Sequence, residues 1–187
     1  MVSLQNISVH FGSFELLREV SFLIRPQDRI GLTGKNGAGK TTLLRIICGL
    51  EQPTTGKVEK PNGLRIGYLP QEMTHNDVRT VREEAKLAYS EVLAVRKELE
   101  ELNREISLRK DFTSDDFHSL LNKSVFLHER LAILGSETME GRIETVLTGL
   151  GFQRVDFDRP ASWFSGGWRM RIELAKILLS DPDLLLL

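Results

Sequence analysis

Gly34-Lys35-Asn36-Gly37-Ala38-Gly39-Lys40-Thr41-Thr42 decides the reading of this 187-residue chain. It has the G-x-x-x-x-G-K-[ST] spacing of a phosphate-binding loop. Its glycines let the backbone turn tightly and approach an anion with no Cβ in the way. Their N–H groups, with the positive end of the following helix, form a nest for phosphates. Lys40 adds a point charge at the β- and γ-phosphates, and the Thr41 hydroxyl is placed to hold Mg²⁺. The flanks agree with this reading. Arg29–Thr33 reads as a short buried strand and Thr42–Cys48 as an apolar-faced helix. A glycine-rich turn alone would explain neither the Lys-Thr pair nor the strand and helix on either side.

The bulk composition, 41% hydrophobic and 27% charged, is that of an ordinary soluble globular protein. A formal net charge of −1 gives no global attraction to nucleic acid or anionic membrane. The single cysteine, Cys48, has no partner for an internal disulfide and reads as core filler. A reducing, cytoplasmic setting fits that usage. Met1–Asn6 lacks the basic flank and apolar run of a signal peptide, and no apolar stretch is long enough to span a bilayer. A membrane role would need spans supplied by another chain.

Upstream of the loop, Val2, Leu4, Ile7, Val9 and Phe11 alternate with polar residues, with a slip at Gln5-Asn6. That pattern predicts a strand with a bulge. Gly12-Ser13 reads as a turn, and Val20, Phe22 and Ile24 place a second strand over Arg18–Arg25, antiparallel to the first. Phe11, at the end of the first strand, is a candidate to lie flat on an adenine ring, with Phe14 its rival. Downstream, Glu51–Gly56 reads as a turn cluster. Leu64, Ile66 and Tyr68 form another strand. Gln71 lies just beyond its end, where open α/β sheets place ligand-contacting groups, and its amide oxygen has the reach for Mg²⁺ or an attacking water.

The middle of the chain changes character. Val81, Ala85, Ala88, Val92, Val95, Leu99, Leu102 and Ile106 recur at alternating steps of 4 and 3, a heptad seam. Phe117, Leu120, Ser124, Leu127, Leu131 and Leu134 repeat the pattern, with Ser124 the polar member. Lys110–Asp116 breaks it, and Ser114 or Asp115 is placed to cap the second helix. Two seams joined by a short turn predict a long helix over Val81–Ile106, antiparallel to one over Phe117–Leu134. Glu100–Arg104 and Glu105–Arg109 lie at i, i+4 in the favourable order. From Val81 to Leu134 there are 9 Lys/Arg against 11 Asp/Glu, a net of −2, so this arm lacks a broad phosphate-binding face. A local patch such as Arg109-Lys110 is the exception.

After a shorter helix carrying Ile143, Val146, Leu147 and Leu150, the chain reaches Phe164-Ser165-Gly166-Gly167-Trp168. A helix from about Arg169 to Leu179 follows, then the turn Ser180-Asp181-Pro182-Asp183 and a fully buried strand over Leu184–Leu187. Ser165-Gly166-Gly167 at a helix start offers a hydroxyl and bare N–H groups on a positive helix end, a second potential anion site. A serine cap alone would not call for two glycines, which weaken a helix. His10, His75, His118 and His128 have no metal-ligand spacing.

The loop, Gln71 after a strand, and Phe164–Arg171 leading into helix, turn and apolar strand together resemble the ATP-binding cassette superfamily over essentially the whole chain. The resemblance implies ATP with Mg²⁺ at Gly34–Thr42, Gln71 as the Q-loop glutamine and Ser165-Gly166-Gly167 as the signature motif. It also favours Phe11 as the adenine-stacking aromatic. It implies that Ser165-Gly166-Gly167 of one cassette closes over the γ-phosphate held by a second cassette of the same parent chain. Trp168 stands where the usual signature has Gln. Gln71 and Ser165 lie 94 positions apart in sequence, longer than transporter cassettes usually need. Both features are similar to the N-terminal cassette of the ABC-F subfamily, soluble twin-cassette ATPases that act on the ribosome through protein or rRNA and include translation factors and resistance proteins. The ATP-binding subunit of a membrane transporter and a non-catalytic ATP-binding module are the competing expectations.

The expected fold is α/β: a P-loop cassette with an antiparallel N-terminal β-subdomain and a helical subdomain carrying an inserted helical hairpin. Residues 1–80 are expected as the first part of the nucleotide-binding core, 81–135 as the hairpin arm, and 136–187 as the signature region and final strand. By the family pattern an Mg²⁺-supporting Asp and a catalytic Glu would follow Leu187, which reads as a truncation. This chain alone is then expected to bind nucleotide without hydrolysing it, and to self-associate through exposed strand edges.

Overall fold

The alternation at the start of the chain builds what it predicts. In the computed structural model, which describes residues 1–70 and 78–187, β1 (Val2–Phe11) pairs antiparallel with β2 (Phe14–Ile24) around Gly12. The slip at Gln5-Asn6 is a bulge. Asn6 takes a φ of 51°, and the register shifts between Leu4 and Ile7. Ser21 holds it from the neighbouring strand, its hydroxyl accepting from the Asn6 N–H at 2.8 Å and donating to Oδ1 at 3.0 Å.

The other edge of β1 pairs with β3 (Thr55–Glu59), whose first two residues fall in the expected turn cluster Glu51–Gly56. Gly56 explains the difference. Its φ is 89°, and a Cβ there would strike the Asn6 carbonyl, so the glycine marks a close approach of two strands rather than a loop.

Two compact units result: Met1–Pro70 joined by Pro182–Leu187, and a second unit of which Val78–Asp181 are described. In the first, α1 (Lys40–Cys48) buries Leu43, Ile46 and Ile47 against Val2, Leu4, Ile7 and Val9 of β1. Gly49, at φ 83°, ends the helix with its N–H donating to Ile46 O and that of Leu50 to Arg45 O, a Schellman stop. Also in this unit, β4 (Ile66–Tyr68) pairs in parallel with β5 (Leu184–Leu186). Asp183 fixes that register by accepting from the Arg65 N–H at 2.9 Å and from its guanidinium. The Arg65 side-chain hydrogen bond, then its backbone bond, holds the Asp183 carboxyl below the usual carboxylate range.

Two expectations need correction in this unit. Arg29–Thr33 forms no strand, and Ile30 is 57% and Leu32 42% exposed. β5 is not fully buried, since Leu185 is 38% exposed. The cause is common to both. A buried parallel strand needs neighbours on both edges. β5 has only β4, and 29–33 has no hydrogen-bonded neighbour among the described residues. Between them lies a groove of about 930 Å³ lined by Ile24, Ile30, Leu64, Leu184, Leu185 and Leu187, among others.

In the second unit the helical run is not one helix. α2 (Val81–Lys86) starts at a capping box, Thr80 with Glu83, and gives way to a 3₁₀ turn over Leu87–Tyr89 before α3 (Ser90–Leu108). The turn buries Tyr89 in place of Ala88, which is only partly buried. Beyond it, Val92, Val95, Leu99 and Leu102 keep the predicted seam against α4 (Asp115–Ile133), which buries Phe117, Leu127 and Leu131. Arg130–Glu91 at 2.8 Å and Lys123–Glu98 at 2.9 Å show the pair to be antiparallel. Ser114 caps α4 by accepting from the Phe117 N–H at 3.1 Å. Ser124, the polar seam member, faces Asn103. The rest of the unit is α5 (Met139–Gly149) and α6 (Gly166–Leu179), with Ile143, Leu147, Ile172 and Ala175 fully buried. Glu84, also buried, is neutralised by Arg79 at 3.3 Å and Lys176 at 3.2 Å.

Candidate functional site

The loop before α1 is shaped by two glycines in the left-handed region, Gly37 at φ 78° and Gly39 at φ 85°. They differ in what they meet. A Cβ on Gly39 would come within 2.8 Å of Leu17 and 3.1 Å of Leu16, so this residue is fixed by backbone angle and by packing against β2. A Cβ on Gly37 would meet nothing within 4 Å. Gly39 seats the loop on the sheet; Gly37 leaves its outer face open to a ligand.

Lys40 begins α1 and folds back over the loop. Its Nζ donates to the carbonyls of Gly34 at 2.9 Å and Lys35 at 2.8 Å, and the Ala38 N–H closes on Lys35 O at 3.2 Å. The ammonium therefore already stands within the curl that a phosphate would enter. No acidic residue lies in the first turn of α1 and no side chain caps it. Its positive end is uncompensated, which favours an anion there by about 0.3–1 kcal/mol at an exposed site. The Thr41 hydroxyl has no hydrogen-bond partner among the described residues, so it is free to take a metal ion. This donor set fits a Mg²⁺–nucleotide: amides and ammonium for phosphate oxygens, and a hard hydroxyl oxygen for the cation. Thr42 follows within the helix. Cys48, at its far end, is half-buried, and burial pushes its thiol up.

Phe11 and Phe14 are cross-strand partners flanking the Gly12-Ser13 turn of the β1–β2 hairpin, 58% and 61% exposed. Both rings are exposed, five and two residues before Leu16, which packs under the loop, and both remain eligible as adenine platforms. Gln71 lies outside the described residues, as does His75. No group of three or more His, Cys, Asp or Glu that could hold a metal occurs among the described residues.

The second candidate lies in the other unit. α6 starts earlier than expected, so Gly166 and Gly167 form its first turn. Neither has a positive φ, and a Cβ on either would meet nothing within 4 Å. Nothing within the described chain therefore requires glycine at these positions. What they provide is open backbone at a helix start. Ser165 sits at the N-cap with no side-chain capping bond, leaving its hydroxyl uncommitted. The sequence reading did not single out the aromatic surroundings of this turn. Phe152 and Phe164 pack against Trp168, and Arg171 covers its ring. The signal was present as five aromatics, Phe152, Phe157, Trp163, Phe164 and Trp168, within the 17 residues from Phe152 to Trp168.

The profile of the ABC transporter family matches residues 17–187. Over its whole length the chain is 39% identical to ABC transporter F family member 5 of Arabidopsis thaliana and covers 27% of that protein. Over 92% of its length it is 36% identical to the Energy-dependent translational throttle protein EttA of Escherichia coli and covers 30% of it. The fold matches the solved dimer of the ATP-binding cassette MJ0796 in a post-hydrolysis state bound to ADP and Pi. That match has a TM-score of 0.63 at 20% identity, covering 99% of this chain and 72% of that one. The chain thus spans 27–30% of the length of these two curated relatives.

Proposed function

The chain belongs to the ABC transporter family of ATP-binding cassettes, and from that premise we propose that it is the N-terminal cassette of an F-type ATPase that couples ATP binding and hydrolysis to work on the ribosome, in the cytoplasm. The observation that carries the reading is the antiparallel hairpin α3–α4, present in the same chain as the phosphate loop and the Ser165-Gly166-Gly167 turn. A transporter subunit shares the loop and the turn but leaves the hairpin without a role. F-family relatives cover the chain from end to end, and one relative is named as a translational throttle.

The residues divide the work as follows. The loop amides bind the β- and γ-phosphates, and the Lys40 ammonium transfers from the Gly34 and Lys35 carbonyls to phosphate oxygens. Thr41, with Gln71, holds Mg²⁺, which when bound neutralises charge on the phosphates. Phe11 stacks on the adenine. Ser165, Gly166 and Gly167 donate to a γ-phosphate held by the partner cassette. Each complete site therefore needs two cassettes, and the 187-residue chain by itself binds ATP but hydrolyses it at background rate.

The hairpin is the arm that meets the ribosome. Its net charge of −2 between Val81 and Leu134 disfavours tracking of an RNA backbone. At its tip Arg109 is paired with Asp111 at 3.0 Å and Glu105 at 3.5 Å, so the Arg109 half of the local basic patch is already paired. Phe112 at the tip and Val125, Phe126 and Ile133 on α4 are exposed. An acidic arm with apolar contacts suits a basic ribosomal protein.

The test is co-sedimentation of the full-length parent with ribosomes. Binding is expected with a non-hydrolysable ATP analogue, and loss of that binding is expected when Ser90–Ile133 is replaced by a short linker. Equal sedimentation with and without hairpin and nucleotide would overturn the assignment.

A further inference from the structure

The Ser165-Gly166-Gly167 turn should be a poor helix start. Two adjacent glycines leave the backbone more freedom than any other pair. Ser165 makes no side-chain cap, and no acidic residue stands in the first turn of α6. Yet donors aimed at a phosphate act best when their positions are fixed before the charge develops. Something outside the turn must hold it.

The flanking residues supply that support. Phe164 precedes Ser165 and Trp168 follows Gly167, and both enter one cluster with the buried Phe152. Phe152 lies edge-on to Trp168 at 5.0 Å and to Phe164 at 5.6 Å, while Phe164 and Trp168 are 6.3 Å apart. The guanidinium of Arg171 covers the Trp168 ring at 4.4 Å from its centroid. The same guanidinium donates through Nη1 to the carbonyl of Leu150 at 3.0 Å, at the C-terminal cap of α5. Gly151, at φ 95°, makes room for it, since a Cβ there would lie 3.0 Å from that nitrogen. A cation at the negative end of α5 is thus sandwiched against an indole that anchors the start of α6.

We propose that Trp168 and Arg171 are positioning residues, an aromatic–guanidinium clamp that pins both ends of the Ser165-Gly166-Gly167 turn in its phosphate-binding pose. The proposal rests on the reading that this turn serves the γ-phosphate of the partner cassette. Neither Trp168 nor Arg171 touches the phosphate. Their effect is on how often the turn is correctly aimed when the cassettes close.

The test uses steady-state ATPase kinetics on the full-length parent. Trp168→Ala is expected to lower kcat about ten- to a hundredfold, the scale of a small misplacement of positioning groups, with KM for ATP changed less than about twofold because the nucleotide is held by the other cassette's loop. Trp168→Phe, which keeps a ring in the cluster, should restore most of the rate. Hydrogen exchange at the amides of 165–169 should quicken in Trp168→Ala and not in Trp168→Phe. Should Trp168→Ala not fold, Arg171→Met decides. It keeps the stem packing and removes the charge and the bond to Leu150, and a several-fold fall in kcat at unchanged melting temperature is expected. An unchanged kcat in both folded variants, in a parent where Ser165→Arg does suppress turnover, would overturn the clamp alone. An unchanged kcat in Ser165→Arg itself would instead remove the reading on which the clamp rests.

Discussion

Lys40→Ala should abolish detectable binding of Mg²⁺–ATP by the 187-residue chain in calorimetry. The Lys40 ammonium makes two hydrogen bonds to loop carbonyls, 2.9 and 2.8 Å long. Exchanging these for charged phosphate oxygens replaces neutral acceptors by anionic ones. A hydrogen bond to a charged group contributes about 1.5–3 kcal/mol, so losing one or two such bonds weakens binding at least roughly ten- to a hundredfold. The substitution also frees the Gly34 and Lys35 carbonyls, but both lie on an exposed loop and water satisfies them. Folding should therefore be preserved, and far-ultraviolet circular dichroism of the variant should match the parent's. Lys40→Arg should retain part of the affinity, since charge is kept while the point-like ammonium is lost. Undiminished binding by Lys40→Ala would place the nucleotide elsewhere.

Ser165→Arg in the full-length parent should suppress turnover at the opposite site. The open space in front of Gly166 and Gly167 is where the partner's phosphate would enter, and an arginine stem beside them fills it. Removing an oxyanion-type donor costs roughly 10²–10³ in rate, and blocking closure removes the neighbouring donors with it. ATP affinity at the Gly34–Thr42 loop should be unaffected, because that loop is built from other residues. Single-turnover measurements with one loop disabled at a time separate the two sites. Loss of turnover at Lys40's own site with the other intact would reverse the assignment.

The parts of the fold legible in the sequence are those decided by neighbouring residues. The bulge at Gln5-Asn6 shows because apolar alternation slips there. The Ser114 cap shows because a hydroxyl precedes a new apolar period. Gly39 was legible as a loop glycine, but its packing against Leu16 and Leu17 was not, since that contact joins distant stretches. The break at Leu87–Tyr89 was illegible for a different reason. Steps of 4 and 3 run on through Ala85, Ala88 and Val92, and a 3₁₀ turn that buries Tyr89 leaves that spacing intact. β3 was hidden by Gly56, which signals a turn in sequence and a close approach of paired strands in space. Arg29–Thr33 shows the opposite failure: its apolar pattern fits a strand, but a strand also needs a neighbour. Within the candidate site, the chemistry-bearing residues of the loop and the turn were read from motif spacing. The Phe152–Trp168–Arg171 support was not, because packing between the loop after α5 and the start of α6 has no fixed spacing.

The central claim is that the two phosphate-binding turns of this chain serve two different nucleotides. Vanadate-promoted photocleavage of the full-length parent tests it most directly, because trapped vanadate in the γ-phosphate position cuts the backbone beside it on irradiation. In the unmodified parent, cuts are expected both within Gly34–Thr42 and at Ser165–Gly167. In Lys40→Ala, the cut within Gly34–Thr42 should vanish, while the cut at Ser165–Gly167 persists together with one in the second cassette's phosphate loop. Cleavage of the second cassette's loop with Ser165–Gly167 left intact would contradict the account.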